Sequence, residues 1–170
     1  LPSSTNPTRP YTRNTLDEVL KSDGVLEEVA RVRSELFGSL GATGHGHGSD
    51  KAVILGLTGE RPELVDPRAV EGRLGQIRTS RRLPVLGVHE IDFVEDEDLV
   101  LHRRKTLPVH PNGMTFTAVD AQDATLAQRT YYSVGGGFVV GGDADGQTRI
   151  VEDSTPVAHP FRTGDELLAH

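Results

Sequence analysis

The strongest constraint on the fold is a pair of runs, in the second half of the chain, in which apolar and polar residues alternate. Residues 113–119 and 125–134 both show this alternation, and the turn-forming residues 120–124 separate them. Alternation places every second side chain on the same face of a strand, so the two runs predict a β-hairpin. Shorter strands are predicted at residues 85–93, 98–102 and 138–140. The second half of the chain is therefore predicted to form a β-sheet.

The first half combines one predicted strand with helices. Residues 30–37 alternate and predict a strand. Thr15 and Glu18 form a capping box, which predicts a short helix that ends near Gly24. The apolar segment 52–57 is predicted as a buried helix, although its length leaves a strand open.

Capping signals mark where two of these helices begin. Ser49 or Asp50 is the predicted N-cap of the helix at residues 52–57. Asp66 followed by Pro67 predicts another helix, which runs to about Thr79. Together the elements predict an α/β (α+β) fold in which a mixed β-sheet packs with helices. A length of 170 residues is typical of one domain.

We divide the chain into three segments. Residues 1–14 contain three prolines and no apolar period, which predicts an extended N-terminal arm. Residues 15–162 form the predicted domain. Residues 163–170 begin a further helix, because Thr163 and Glu166 form a second capping box. We expect the native polypeptide to continue past His170, and the start at Leu1 rather than Met indicates a fragment.

Composition excludes several classes of function. The formal net charge is −7, which argues against sequence-independent nucleic-acid binding by Lys and Arg, and the basic runs 81–82 and 103–105 are interpreted as solvated faces. The chain has no cysteine, so it cannot hold an iron–sulfur cluster by thiolates or use a cysteine nucleophile. No apolar run approaches the ~20 residues needed to span a bilayer. We expect a cytoplasmic protein without a nucleic-acid or membrane partner.

Function is predicted to lie in three glycine-rich segments. Residues 43–50 read TGHGHGSD, residues 110–114 read HPNGM and residues 132–138 read YSVGGGF. Repeated glycine indicates a backbone that turns sharply or approaches another group closely. Polar groups on loops are commonly binding groups, and we predict that residues 43–50 form a loop between a strand and a helix.

The first segment supports more than one hypothesis. His47, Ser49 and Asp50 lie near a predicted helix N-terminus, where free N–H groups favour an anion such as a substrate carboxylate. Alternatively, Ser49 only caps the helix while His45 and His47 are exposed. A metal set of His45, His47 and Asp50 with His110 is a weaker alternative, because H-x-H spacing is common by chance, and no metal site is predicted.

The other two segments also have structural explanations. His110 precedes a strong turn signal at residues 111–113, so a functional histidine and a spectator in a hairpin turn are both open. Residues 135–137 are three glycines between two strands, which indicates a bulge or the close approach of a backbone or ligand. The spacing does not match a dinucleotide-binding fingerprint.

Taken together, the motifs over residues 29–170 resemble the β domain of the bacterial iron–sulfur L-serine dehydratases, also called L-serine ammonia-lyases. The matching strings are LFGSL at residues 36–40, the pattern T-G-x-G-H-x-S-D at 43–50, HPNGM at 110–114 and TYYSVGGGF at 130–138. Residues 160–168 are similar to the lead into the catalytic α portion of that family. The resemblance implies a fold similar to the allosteric substrate-binding domain of some phosphoglycerate dehydrogenases.

The resemblance also implies an activity and partners. The family converts L-serine to pyruvate and ammonia, using a [4Fe–4S] cluster that cysteines of the α portion hold. We expect this chain to cover the substrate, to need an α portion in cis or in trans, and not to be competent alone. A small amino or hydroxy acid is the expected ligand, and a homodimer is the expected assembly.

The site residues are carried over by motif. The predicted catalytic residues are His47, Asp50 and His110, and the predicted substrate-binding residues are Ser3, Ser4, Asn6, Thr43, Ser49, Asn112, Tyr132, Ser133, Gly135 and Gly136.

One departure from the family keeps two alternatives open. The family opens with GPSSSHT, whereas residues 1–7 read LPSSTNP, so Asn6 stands in place of the histidine. Asparagine cannot relay a proton near neutral pH. The chain could therefore be a stand-alone, metal-independent hydrolase or cyclase that uses His47, Asp50 and His110, or a regulatory small-molecule-binding domain without catalysis.

Overall fold

A mixed six-stranded sheet organises the chain. The computed structural model describes residues 20–21, 24–61, 64–135, 138–142 and 148–149. Within these residues the strand order of the large sheet is β4-β1-β5-β6-β7-β8, with β1 parallel to β4 and antiparallel to β5. The predicted α+β fold with a mixed sheet is confirmed.

The elements follow one another along the chain after a 3₁₀ turn at Leu26–Glu28. The strands are β1 (Arg31–Leu36), β2 (Arg82–Val85), β3 (His89–Asp92), β4 (Leu99–Leu101), β5 (Gly113–Val119), β6 (Thr125–Gly135), β7 (Phe138–Gly142) and β8 (Thr148–Arg149). In the part of the chain that the structure describes, the helices with defined bounds are α1 (Ser39–His47), α2 (Ser49–Leu57), α3 (Pro67–Ser80) and α4 (Glu95–Asp98), and residues 20–21 are also helical.

The strands predicted from alternation are confirmed. In β1, Val32, Ser34 and Leu36 are buried and lie on one face, as the period of two requires. The hairpin β5–β6 has the predicted turn, with a bulge at Ala118 and Val119. The core joins this sheet to helices α2 and α3 through fully buried side chains such as Ile54 and Leu74. Each such aliphatic side chain contributes about 1.5–3 kcal/mol through burial.

The glycine–histidine segment is helical, so the predicted loop at residues 43–50 is wrong. Gly44 in this segment, and Gly41 just before it, allow close packing of the helix. A Cβ added at Gly41 would lie 2.5 Å from the carbonyl oxygens of both Leu36 and His102, which shows how closely α1 lies against the ends of β1 and β4. The chain turns at Gly48, which is left-handed (φ 72°) and joins α1 directly to α2.

The capping predictions have different outcomes. Gly48, and neither Ser49 nor Asp50, occupies the N-cap of α2, and no side chain caps that helix. The helix predicted at residues 52–57 is confirmed, but it begins earlier, at Ser49. The Asp66 cap is confirmed, because Asp66 Oδ1 accepts a hydrogen bond from the Arg68 N–H at 3.0 Å and Pro67 opens α3.

The strand predicted at residues 85–93 is interrupted by a turn between β2 and β3. Residues 85–93 do not run continuously, because Leu86 and Gly87 both adopt positive φ and reverse the chain between β2 and β3. Two successive residues with positive φ are typical of a tight hairpin turn. The strand predicted at residues 98–102 is confirmed as β4, one residue shorter at each end.

Several predictions fall outside the described residues. They are the arm at residues 1–14, the capping box at Thr15 and Glu18, and the final segment 163–170. The predicted substrate-binding residues Ser3, Ser4, Asn6 and Gly136 also lie outside. Among the helices that the structure does describe, none combines the length and the apolar character needed to cross a membrane.

Candidate functional site

Helix α1 carries polar side chains at both of its ends. At its start, Gly38 has φ 63°, and a Cβ there would lie 2.3 Å from the carbonyl oxygen of Pro111. The segment before β5 therefore lies directly on the N-terminus of α1. Asn112 Oδ1 accepts a hydrogen bond from the Ser39 N–H at 2.7 Å, which satisfies one of the N–H groups that a helix start leaves without a partner.

Asn112 also joins two other predicted residues. Its N–H donates to His110 Nδ1 at 3.2 Å, and its carbonyl oxygen accepts from the Ser133 N–H at 2.9 Å. Tyr132 is buried opposite Gly113, where a Cβ would come within 3.1 Å of its ring. The structure thus brings together four predicted residues, His110, Asn112, Tyr132 and Ser133, which with Ser39 form the α1 N-terminal cluster.

This cluster holds its polar groups in defined positions. Nδ1 of His110 lies 3.2 Å from the N–H and 3.3 Å from the carbonyl oxygen of Asn112, so the ring is held against the backbone of that residue. Oδ1 of Asn112 is used by Ser39, so the amide group of Asn112 has a fixed orientation. Gly135 lies beyond the cluster on β6, exposed and with φ 97°. The arrangement is that of a scaffold that holds the start of α1.

At the other end of α1, the α1–α2 corner consists of Gly48 with His45, His47, Ser49 and Asp50. The Asp50 side chain is only 8% exposed, and its two oxygens have separate partners. Oδ2 lies 3.0 Å from His45 Nδ1, and Oδ1 accepts from the Lys51 N–H at 2.9 Å. Since an ionised carboxylate only accepts, His45 Nδ1 carries the proton of this pair.

The charge of Asp50 is stabilised where it lies. Burial alone would raise the pKa of its carboxyl, but the hydrogen bonds from Lys51 and His45 and the attraction of His45 and Arg78 outweigh burial. The pKa of Asp50 is therefore lowered from its ordinary value. A buried carboxylate thus already occupies the start of α2, where the sequence predicted the binding of a substrate anion.

The remaining predicted residues of α1 face outwards. Thr43 and His47 are exposed, and the hydroxyl of Thr43 donates to the carbonyl oxygen of Ser39 at 2.9 Å. Residues four apart lie on the same helix face, so Ser39, Thr43 and His47 form a polar stripe along α1. Ser49 is half-buried and packs its Cβ against Gly44.

The predicted catalytic residues do not form one cluster. Ser39 and His47 are eight residues apart in α1, so a rise of 1.5 Å per residue separates the two ends by about 12 Å. Within the described ranges, no hydrogen bond joins His47, Asp50 and His110. No group of three or more His, Asp or Glu side chains in that part of the chain is arranged to hold a metal ion. His45 pairs with Asp50 instead of joining such a set.

Two features lie beyond what the motifs could indicate. His45 lines a half-open cleft of about 240 Å³ beside β4, together with Glu95, Asp96 and Arg103. His102 Nε2 lies 2.8 Å from Glu35 Oε1, and its ring stacks on Phe37 with 4.7 Å between ring centres. The parallel pairing of β1 with β4 creates both features, and no short-range pattern in the sequence signals that pairing.

The fold and site define a class: an α+β domain in which a mixed sheet carries a glycine-rich helix, with polar groups exposed along its outer face. Residues 2–144 match the profile of the serine dehydratase beta chain family. The chain belongs to this family, and the resemblance that the motifs predicted is confirmed.

Named relatives agree with this assignment. An L-serine dehydratase of Streptomyces coelicolor is 58% identical over 149 residues, which cover 88% of this chain and 33% of that protein. An L-serine dehydratase of Mycobacterium tuberculosis is 40% identical over 168 residues, covering 98% of this chain and 36% of that protein. L-serine dehydratase 1 of Escherichia coli is 37% identical over 172 residues, covering 99% and 37%. The chain spans about a third of the length of the curated relatives it matches.

Proposed function

We propose that this chain is the substrate-covering β portion of an L-serine dehydratase, which converts L-serine to pyruvate and ammonia together with an α portion in cis or in trans. The observation that carries the proposal is the family match over residues 2–144, with relatives named L-serine dehydratase up to 58% identical. The domain alone is not expected to turn over substrate, because those relatives are about three times longer.

The polar stripe of α1 is the proposed substrate-facing surface. Thr43 and His47 are one helical turn apart, a rise of about 6 Å, which a molecule of the size of L-serine can span. Both side chains are exposed, and an imidazole can accept or donate a proton near neutral pH. We assign to His47 the transfer of a proton to or from the substrate, and to Thr43 a hydrogen bond to it.

The other predicted residues have supporting parts in this proposal. Asn112, with His110, Tyr132 and Ser133, holds the N-terminal end of α1, about 12 Å from His47 and too far to share one L-serine molecule with it by direct contact. Asp50 is buried and paired with His45, so it acts on the corner and not on the substrate ammonium. Ser3, Ser4 and Asn6 remain proposed contacts from the N-terminal arm.

The residues of this chain do not fit a thiolate-held cluster. The sequence contains no cysteine, and the described residues offer no group of three or more His, Asp or Glu to replace one. A [4Fe–4S] cluster would therefore belong to the α portion. The roles assigned to α1 do not involve it.

The test is turnover of L-serine by the full-length protein that carries this chain, measured as pyruvate released. His47→Ala is expected to abolish turnover, and Thr43→Ala to lower it about tenfold, with melting temperatures within about 2 °C of the parent protein. Thr79→Ala is the matched control for Thr43→Ala, because Thr79 is an exposed helical threonine on α3.

Two results would contradict the proposal. A full-length protein with a complete α portion that releases no pyruvate from L-serine would refute the activity. A large fall in the melting temperature of His47→Ala would show that His47 is structural. The metal-independent hydrolase or cyclase gains no support from the geometry, since His47 and His110 lie near opposite ends of α1.

A further inference from the structure

The α1–α2 corner has a backbone that does not by itself fix its angle. A single residue, Gly48, lies between His47 at the end of α1 and Ser49 at the start of α2. Glycine populates left-handed and right-handed conformations with similar ease, so the chemistry of this residue leaves the angle between the two helices weakly determined. The Gly48 N–H donates to the carbonyl oxygen of Gly44 within α1, and the Ala52 N–H donates to the carbonyl oxygen of Gly48 at the start of α2. Each of these backbone hydrogen bonds therefore stabilises only one of the two helices.

A side-chain bond spans the corner. His45 in the last turn of α1 donates to Asp50 in the first turn of α2, at 3.0 Å. Among the described residues it is the only side-chain hydrogen bond that links these two helices. A second contact, between Gly44 and the Cβ of Ser49, only packs.

The pair suits the helix ends on which it lies. The N–H groups and the dipole at the start of a helix favour an anion, and Asp50 lies in the first turn of α2, while His45 lies in the last turn of α1. Asp50 is anchored by burial and by the Lys51 N–H, so the exposed partner, His45, is the one held in place. Fixing His45 fixes the last turn of α1, and His47 is two residues further along that turn.

We propose that His45 is a positioning residue: its hydrogen bond to Asp50 closes the α1–α2 corner and sets the direction in which His47 is presented to substrate. This inference rests on the proposed function of His47. His45 itself is not a proton carrier in this arrangement, because its role needs only a donor at the place of Nδ1.

The experiment compares His45→Ala with His45→Asn in the full-length protein. The amide nitrogen of asparagine lies near the position of Nδ1, so His45→Asn keeps a donor to Asp50, whereas His45→Ala removes it. We expect His45→Ala to lower kcat about tenfold with KM within about twofold, and His45→Asn to restore kcat to within about threefold of the parent. Asp92→Asn, which removes a surface ion pair on β3, is the control that leaves kcat unchanged.

Three results would overturn the inference. Full activity of His45→Ala would show that the bond does not position His47. Equal losses in both variants would show that the imidazole of His45 acts chemically. The third result comes from a measurement that does not depend on turnover, the side-chain NMR signals of His47 in protein with ¹⁵N-labelled histidine. We expect these signals to shift in His45→Ala and return in His45→Asn, and unshifted signals refute the positioning role even if the parent protein proves inactive on L-serine.

Discussion

Replacing Gly41 by alanine tests how closely α1 packs on the sheet. The added Cβ would lie 2.5 Å from the carbonyl oxygens of both Leu36 and His102, about 1 Å closer than an ordinary carbon–oxygen contact. Both opposing atoms belong to the backbone, so relief requires α1 to move as a body. Overpacking of this kind costs about 3 kcal/mol, at the upper end of its usual range.

The helix recovers part of this cost. Alanine is favoured over glycine in a helix interior by about 1 kcal/mol, which leaves a net loss of about 2 kcal/mol for Gly41→Ala. Gly46→Ala is the matched control on the same helix, because a Cβ there meets nothing within 4 Å. It should gain the propensity of about 1 kcal/mol without the clash.

Thermal unfolding of the two variants separates these effects. For a chain of this length, 1 kcal/mol corresponds to about 2–4 °C in Tm. We expect Gly41→Ala to melt about 4–8 °C below the parent protein and Gly46→Ala about 2–4 °C above it. If the two variants melt together, α1 does not lie against the carbonyls of Leu36 and His102, and the packing argument is refuted.

Two further predictions concern the ends of α1. Asn112→Ala removes the acceptor for the Ser39 N–H and should lower the free energy of unfolding, measured by urea titration, by about 1 kcal/mol. Asn112→Asp keeps an acceptor and should lose little stability. Equal stability of the parent protein and both variants would contradict the role of Asn112 as a cap. Asp50 should support stability above its ordinary pKa of 3.8, and this contribution should be lost as the pH falls from there through its lowered folded-state pKa. Comparing the acid limb of stability against pH with that of Asp50→Asn checks the sign, since a parent protein that loses no more stability than the variant in this range would contradict it.

Local patterns predicted the elements that depend on local chemistry. Alternation located β1, β5 and β6, because each buries every second side chain against the core. Asp66 and Pro67 located α3, since capping involves only neighbouring residues. The mixed sheet and the family followed from these elements and from the order of the motifs.

The predictions that failed depended on contacts between distant segments. The glycines of residues 43–50 were interpreted as a sign of a sharp turn or a close approach in a loop, but Gly44 lies inside helix α1 and lets it pack against Leu101, which lies far along the sequence. The strand at residues 85–93 was predicted as continuous because Leu86, a residue that rarely adopts positive φ, gives no turn signal. The close packing of the glycine and the turn at Leu86 both arise when distant segments come together, so no local pattern in the sequence indicates them.

The arrangement of the predicted site residues differs from the one that the sequence suggested. The motifs named His47, Asp50 and His110, and a shared loop cleft would have brought them together. The segment is helical instead, so each residue adds a rise of about 1.5 Å along the helix axis. Helix α1 therefore places His47 about 12 Å from its N-terminal end, where Asn112 and His110 lie. The same helix places Thr43 beside His47, four residues apart, which a loop would not have required.

Helix α1 is therefore weak by itself and is held in place by its neighbours. Its three glycines, Gly41, Gly44 and Gly46, cost about 3 kcal/mol relative to alanine, which a nine-residue helix cannot recover from its own hydrogen bonds. The order of α1 therefore depends on its neighbours, through the packing of Leu40 and Gly41, the cap from Asn112 and the bond from His45 to Asp50. Thr43 and His47 are exposed side chains of this helix, so we expect the loss of any of these contacts to change their position. The small residues that bring α1 close to the sheet thus make the position of its polar groups depend on contacts at both ends.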